Sequence, residues 1–248
     1  MLLARGPGWN IDTEYFGVDS RKGIPMEQKE LKELSMSNLD KVLRALNKGD
    51  IEEARKCARI MEEEAKHAHD LMVEFVCVLL TYIGKNYGDE EVVKAMRSRH
   101  GGKPQVAERM LGMSPEEAVR FKTMIHRAHH SRMTLTEEKD RFVLKLDPCN
   151  TGGRMLRDGL DKPPVNLGKF GKKCPESYNQ ADVLYYCGHC ALHAIMGVQK
   201  GAPHPTWIYN RPKNPQDPCY QYCYKRTADV PEEYFRELGL KKPPGEKG

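Results

Sequence analysis

Charge of a single sign is what this 248-residue chain most plainly lacks. The net charge is +5, acidic and basic residues are interleaved, and runs such as Glu62-Glu63-Glu64 and Lys241-Lys242 are short. No basic stripe with interleaved aromatics is present, which removes the usual electrostatic footprint of a nucleic-acid binder. Long apolar runs are missing as well. The most apolar stretch, Leu71 to Ile83, contains Glu74 and falls short of the roughly 20 residues that cross a bilayer. Between Met1 and Val18, the residues Arg5, Asp12 and Glu14 interrupt the apolar positions, so no secretory leader is expected there. Three signatures of nucleotide and serine-hydrolase chemistry are also absent: Gly-x-x-x-x-Gly-Lys, Gly-x-Gly-x-x-Gly and Gly-x-Ser-x-Gly. The expectation is a cytoplasmic protein without nucleic-acid or membrane partners. Association between copies is left open.

What is present fits a soluble globular chain with a sizeable core: 39% of residues are hydrophobic and 30% charged. The chain reads as two unlike parts, residues 1–133 mainly helical and residues 134–248 mixed and cysteine-rich. In the first, Ser37 or Asn38 caps a helix through Leu46. Gly49-Asp50 caps the next, which runs from Ile51 towards Ile83 and is punctuated by Gly84 and Gly88. Asp89-Glu90-Glu91 opens another helix through Met96, and Arg97 to Gln105 reads as a loop. Ser114-Pro115-Glu116-Glu117 combines a cap, a first-turn proline and acids at the positive dipole end, starting a helix that reaches about His130.

In the second part, Arg141 to Leu146, Trp207-Ile208-Tyr209 and Tyr220 to Tyr224 read as strands. Ala191 to Val198 and a segment after Val230-Pro231 read as short helices. Twelve of the sixteen prolines and six of the eight cysteines lie beyond position 140. The expected class is α+β: an N-terminal antiparallel helical bundle packed on a small C-terminal antiparallel sheet with a cysteine-rich metal cluster.

The strongest chemical signal is a repeated tripeptide, Asp147-Pro148-Cys149 and Asp217-Pro218-Cys219, flanking the knuckle Cys187-Gly188-His189-Cys190. Thiolates drawn from separate segments are how a chain builds a tetrahedral zinc or an iron–sulfur site. Cys149, Cys187, Cys190 and Cys219 are the predicted ligands, with zinc preferred because a ferredoxin-type run is lacking. Cys223 lies four residues beyond Cys219, about 13 Å away along an extended strand, and is left out. Cys174 is the first reserve. Cys57 and Cys77 sit inside helical patterns and read as packing thiols. Four thiolates close the sphere of a zinc ion, so an enzyme would need its chemistry beside the cluster.

Cys149 leads into Asn150-Thr151-Gly152-Gly153-Arg154. Gly152 and Gly153 free the backbone to turn amides towards an anion, and Arg154 adds a fork of donors. The competing reading is a plain turn after a strand. On the long second helix Glu63, His67, Asp70 and Glu74 share one stripe, whereas His69 falls on the face of Val73, Val76 and Leu80. His129 shares an apolar face with Phe121 and Ile125 on the later helix, and a buried imidazole needs a partner. His69, Asp70, His130 and His189 are the candidate proton handlers, facing Arg154 as substrate anchor. The expected function is a zinc-dependent hydrolase or lyase acting on a small anionic or carboxylated compound. An iron–sulfur or thiol redox protein and a zinc-stabilised sensing module are the alternatives.

Overall fold

A computed structural model describes residues 27–101, 111–205, 208–210, 212 and 214–244. The expectations for the leader region, for Trp207 and for the extreme C-terminus lie outside the described residues. The chain divides into two compact units, residues 1–67 and 68–248.

Unit 1 is helical where described. Helix α1 spans Gln28–Ser35, α2 spans Asn38–Asn47, and α3 spans Ile51–Tyr87, running on into unit 2. Ser37 caps α2, its hydroxyl accepting from the Asp40 amide at 3.1 Å. Asp50 accepts from the Glu53 amide at 3.0 Å, so the predicted turn between α2 and α3 has the expected cap. Ala45, Ala54 and Cys57 are the buried apolar residues here, and Cys57 is a packing thiol as anticipated.

Unit 2 mixes helix and sheet. After the rest of α3 come α4 (Asp89–Gly101), α5 (Pro115–Ala128), β1 (Met133–Glu137), β2 (Arg141–Leu146) and α6 (Gly152–Arg157). Then follow α7 (Gly188–Gln199), β3 (Ile208–Asn210), β4 (Cys219–Tyr224) and α8 (Glu232–Glu237). Ser114 and Glu117 close a full capping box at the start of α5, with the acid reaching back to the Ser114 amide at 2.8 Å. The four strands lie in the order β1-β2-β4-β3, every pair antiparallel. Leu144 and Leu146 of β2 are fully buried, and β1 is an exposed edge. Cys223 faces the cluster of Ala118, Val119, Phe142 and Leu144, so this strand is extended and its second cysteine is a core thiol.

Four sequence expectations are corrected. The Arg97–Gln105 loop is helical through Gly101, because α4 outlasts its last apolar repeat. Gly84 does not end α3; the chain turns at Gly88, whose φ of +91° suits glycine. Gly84 instead gives room to Tyr185, whose ring packs against both Gly84 and Gly168. The strand β1 went unread, since its Thr-Leu-Thr alternation is short and continues a helical region. Finally, Gly152-Gly153-Arg154 is not a loop but the first turn of α6. Helix α3 is long and apolar enough to cross a membrane by length and composition. In unit 2 its Val73, Cys77 and Leu80 are buried, while Met72, Phe75, Leu79 and Tyr82 are exposed.

Candidate functional site

The repeated tripeptide acquires a geometric meaning from the sheet. β2 and β4 are neighbours with Leu146 opposite Cys219, so both Asp-Pro-Cys segments emerge at one end of the sheet. Arg157 of α6 fastens them together. Its Nη2 donates to Asp147 Oδ1 at 2.6 Å and to the Gln216 carbonyl at 2.9 Å, and its Nε to the Pro215 carbonyl at 3.0 Å. The guanidinium bond to Arg157 also holds the Asp147 carboxyl below the usual carboxylate range. Nothing in the sequence singled out Arg157, because its role exists only once two distant loops meet.

The knuckle arrives from the other side. Cys187 ends the short 3-10 turn Tyr185–Cys187 and precedes α7, whose first turn carries Cys190. A Cβ at Gly152 would fall on the Cys187 sulfur, and one at Gly153 would lie 3.2 Å from the Cys149 Cβ. The missing side chains at both glycines thus let Cys187 and Cys149 approach this turn closely. Burial pushes the Cys190 thiol far up, and the neighbouring Cys149 and Cys187 sulfurs push it further. Tyr209 completes the arrangement: it hydrogen-bonds Cys190 and also lies within the electrostatic reach of Cys219. Cys149 and Cys187 thus lie within electrostatic reach of Cys190, and Cys190 and Cys219 both pack against the core cluster that holds Tyr209. Among the described residues, no three His, Cys, Asp or Glu side chains stand at metal-binding spacing.

Lys122 of α5 is fully buried beside this group, its Nζ 5.9 Å from the Tyr209 ring centre. Burial lowers its pKa to about 8, against the opposing pull of Cys223 and Cys190.

Asn150 and Arg154 of the Cys149–Arg154 segment also join a second polar cluster. Asp70 Oδ1 accepts from His69 Nδ1 at 2.9 Å and from Asn150 Nδ2 at 3.1 Å, with Arg154 Nε 3.6 Å away. His69 Nε2 meets His129 Nδ1 at 2.8 Å, and the His130 ring packs edge-on at 5.6 Å. Arg154 Nη1 donates to Glu74 at 2.9 Å and to Asp158 at 3.2 Å. So His69, Asp70, His130 and Arg154 do assemble, from α3, the turn after α5, and α6. Arg154 reaches the cluster with its charge already matched by carboxylates, which weakens its standing as a substrate anchor. His189 Nδ1 lies 2.7 Å from the Tyr186 carbonyl, and its ring packs edge-on against that of His193.

His130 sits in the left-handed region at φ +52°. It terminates α5 in a Schellman-type turn, with the Ser131 amide bonded to the His126 carbonyl at 3.0 Å. Glycine is the usual occupant, and a side chain there costs about 1–2 kcal/mol. The turn delivers Ser131, whose hydroxyl accepts from the Asn150 amide at 3.0 Å and ties the cysteine loop to α5. A cavity of about 360 Å³ elsewhere in unit 2, against Lys85, Asp161, Lys169 and Tyr185, is lined by none of these residues. No protein-family model, curated protein or solved structure matches this chain.

Proposed function

We propose that the chain binds one metal ion, zinc, through Cys149, Cys187, Cys190 and Cys219, and that chemistry on a small anionic compound takes place beside it. The observation that supports the reading is that Arg157 bridges the two Asp-Pro-Cys segments while Cys149 and Cys187 stand within electrostatic reach of Cys190. Unligated thiols so placed disfavour their own ionisation, and a divalent cation inverts that balance by binding the thiolates. Lys122 supplies buried positive charge for the resulting anionic centre. With four thiolates the ion is structural, and hydrolysis or elimination falls to the Asp70–His69 side of the Cys149–Arg154 segment. The reading keeps the protein cytoplasmic, since the cysteines then stay reduced.

Metal analysis of anaerobically purified protein tests it. The expected result is colourless protein with about one zinc per chain, the stoichiometry of a four-ligand site, and thiolate-to-metal charge transfer after cobalt exchange. Serine at any of the four positions should abolish binding, whereas Cys57→Ser retains it. A brown protein would select an iron–sulfur centre on the same sulfurs. Protein that takes up no metal under any of these conditions ends the reading. Turnover that His69→Ala abolishes without unfolding the chain separates an enzyme from a sensing module.

A further inference from the structure

Within unit 2, helix α3 carries two apolar faces, and the chain's own core uses one of them. Val73, Cys77 and Leu80 are buried against the rest of the unit. Opposite them, at about 3.6 residues per turn, stand Leu71, Met72, Phe75, Val78, Leu79 and Tyr82, all exposed. Eleven large apolar side chains are exposed among the described residues of unit 2, and eight of these lie on α3 between Leu71 and Tyr87. The exposure is substantial: 62% for Met72, 58% for Phe75 and for Tyr82, 45% for Leu79. Between Leu71 and Tyr82 the one charged residue is Glu74, which turns away to Arg154 at 2.9 Å. No charge interrupts the open face.

The spacing of this face is specific. Ala68, Met72, Phe75, Leu79 and Tyr82 alternate steps of four and three residues, which is the a and d pattern of a coiled-coil seam. All five are exposed.

We propose that this face of α3 is the interface of a two-fold homodimer in which the helices of two copies run antiparallel. Reversing one helix sets each a position opposite a d position. Met72 then meets Phe75 of the second copy and Ala68 meets its Leu79, and the symmetry repeats both layers. Leu79 falls over the small Ala68, and the Phe75 ring lies beside the Met72 thioether, a favourable sulfur–aromatic contact. Parallel helices would set Ala68 on Ala68 and Phe75 on Phe75, leaving a gap in one layer and crowding another.

The open area has the size a dimer needs. Eight side chains with roughly 100 Å² open apiece give about 800 Å² per copy, each partner's share of a stable interface. A monomer usually leaves no apolar patch beyond about 300–600 Å² in water. A bilayer fits this face less well. Asp70 and Glu74 of the same stretch are tied to Arg154 and would enter the lipid with it. The pairing uses none of the proposed zinc ligands and holds whether or not metal binds.

Sedimentation equilibrium of the full-length protein from about 1 to 100 µM tests it, because interfaces of this size hold at micromolar concentration or tighter. The expected mass is twice that of the chain. Met72→Lys and Phe75→Glu change exposed positions and spare the core. Each should sediment as a monomer with unchanged circular dichroism, while Leu135→Glu, on the exposed edge β1, stays dimeric. Mixed in equal amounts, the two monomeric variants should pair again, since the antiparallel register sets the introduced ammonium against the introduced carboxylate. A mixture that stays monomeric overturns the proposal, as does a dimer that survives both substitutions. A wild-type monomer at every concentration also overturns it, whether the face is covered by residues 1–26 or, if the protein floats with phosphatidylcholine vesicles, by lipid.

Discussion

Replacing Gly84 by alanine sets two rules of protein stability against each other. Gly84 lies inside α3, and in a helix interior alanine is normally favoured over glycine by about 1 kcal/mol. Here an added Cβ would overlap the hydroxyl and ring carbons of Tyr185. That ring cannot step aside. It is 6% exposed, its hydroxyl donates to Asp89 Oδ1 at 2.7 Å, and Phe170 packs edge-on at 4.9 Å. Gly168 closes the other side, where the space is backed by the Thr81 Cα. Overpacking a fixed core costs typically 1–3 kcal/mol, and overlap with ring atoms belongs at the upper end. The net is a destabilisation of about 2 kcal/mol once the propensity gain is subtracted.

For a domain of this size that corresponds to a fall in Tm of roughly 4–8 °C. Urea midpoints for Gly84→Ala in the native and Tyr185→Leu backgrounds provide the assay. With the ring removed, alanine should become stabilising by about 1 kcal/mol, giving a coupling near 3 kcal/mol. A midpoint that rises in the native background, or equal changes in both, refutes the packing argument.

Two further outcomes follow from the same unit. Burial lowers the pKa of His126 to about 4, with the Gln221 hydrogen bond opposing and Lys122 assisting. Between about pH 6.5 and 4 the unfolded chain binds a proton that the native state refuses. Stability should therefore fall as pH drops through that window, by up to about 3 kcal/mol. Urea midpoints at the two ends should differ more for the native protein than for His126→Gln, and parallel curves would contradict the assignment. Separately, Gly152→Ala places a methyl on the Cys187 sulfur. Zinc affinity should drop about 10–100-fold, as when support around a metal ligand is disturbed, with helix content by circular dichroism unchanged. Gly153→Ala, with 3.2 Å to the Cys149 Cβ, should lose less; equal binding by all three proteins would show that the site does not use Cys187.

Much of the local structure was legible because local chemistry specifies it. Ser114-Pro115-Glu116-Glu117 contains every atom of its capping box within four residues. Arg141–Leu146 and the Tyr220–Tyr224 region carry enough β-branched and aromatic residues to mark strands that the structure contains. The alternating tyrosines of β4 marked it as extended, and Cys223 lies in the core. Other features were illegible for a stated reason. Gly84 looks like a stop in sequence because nothing nearby reveals a tyrosine a hundred residues on that needs the space. In sequence, Gly152-Gly153 gives no hint that Cys187 packs where a Gly152 side chain would lie. Histidine at 129 could be placed on an apolar face by its periodicity, but only the meeting of α3 with α5 identifies His69 as its partner.

The sequence by itself determined where helices and strands begin, because caps, prolines and β-branched runs act over a few residues through backbone hydrogen bonds and steric preference. It also determined which cysteines stand on constrained corners. Tertiary structure alone decided that Arg157 joins the two Asp-Pro-Cys segments, that Arg154 is matched by three carboxylates, and that the rings of His69 and His129 meet. Those outcomes depend on which side chains meet across 60 to 80 residues of chain, and pairing at that range is set by packing of the whole unit.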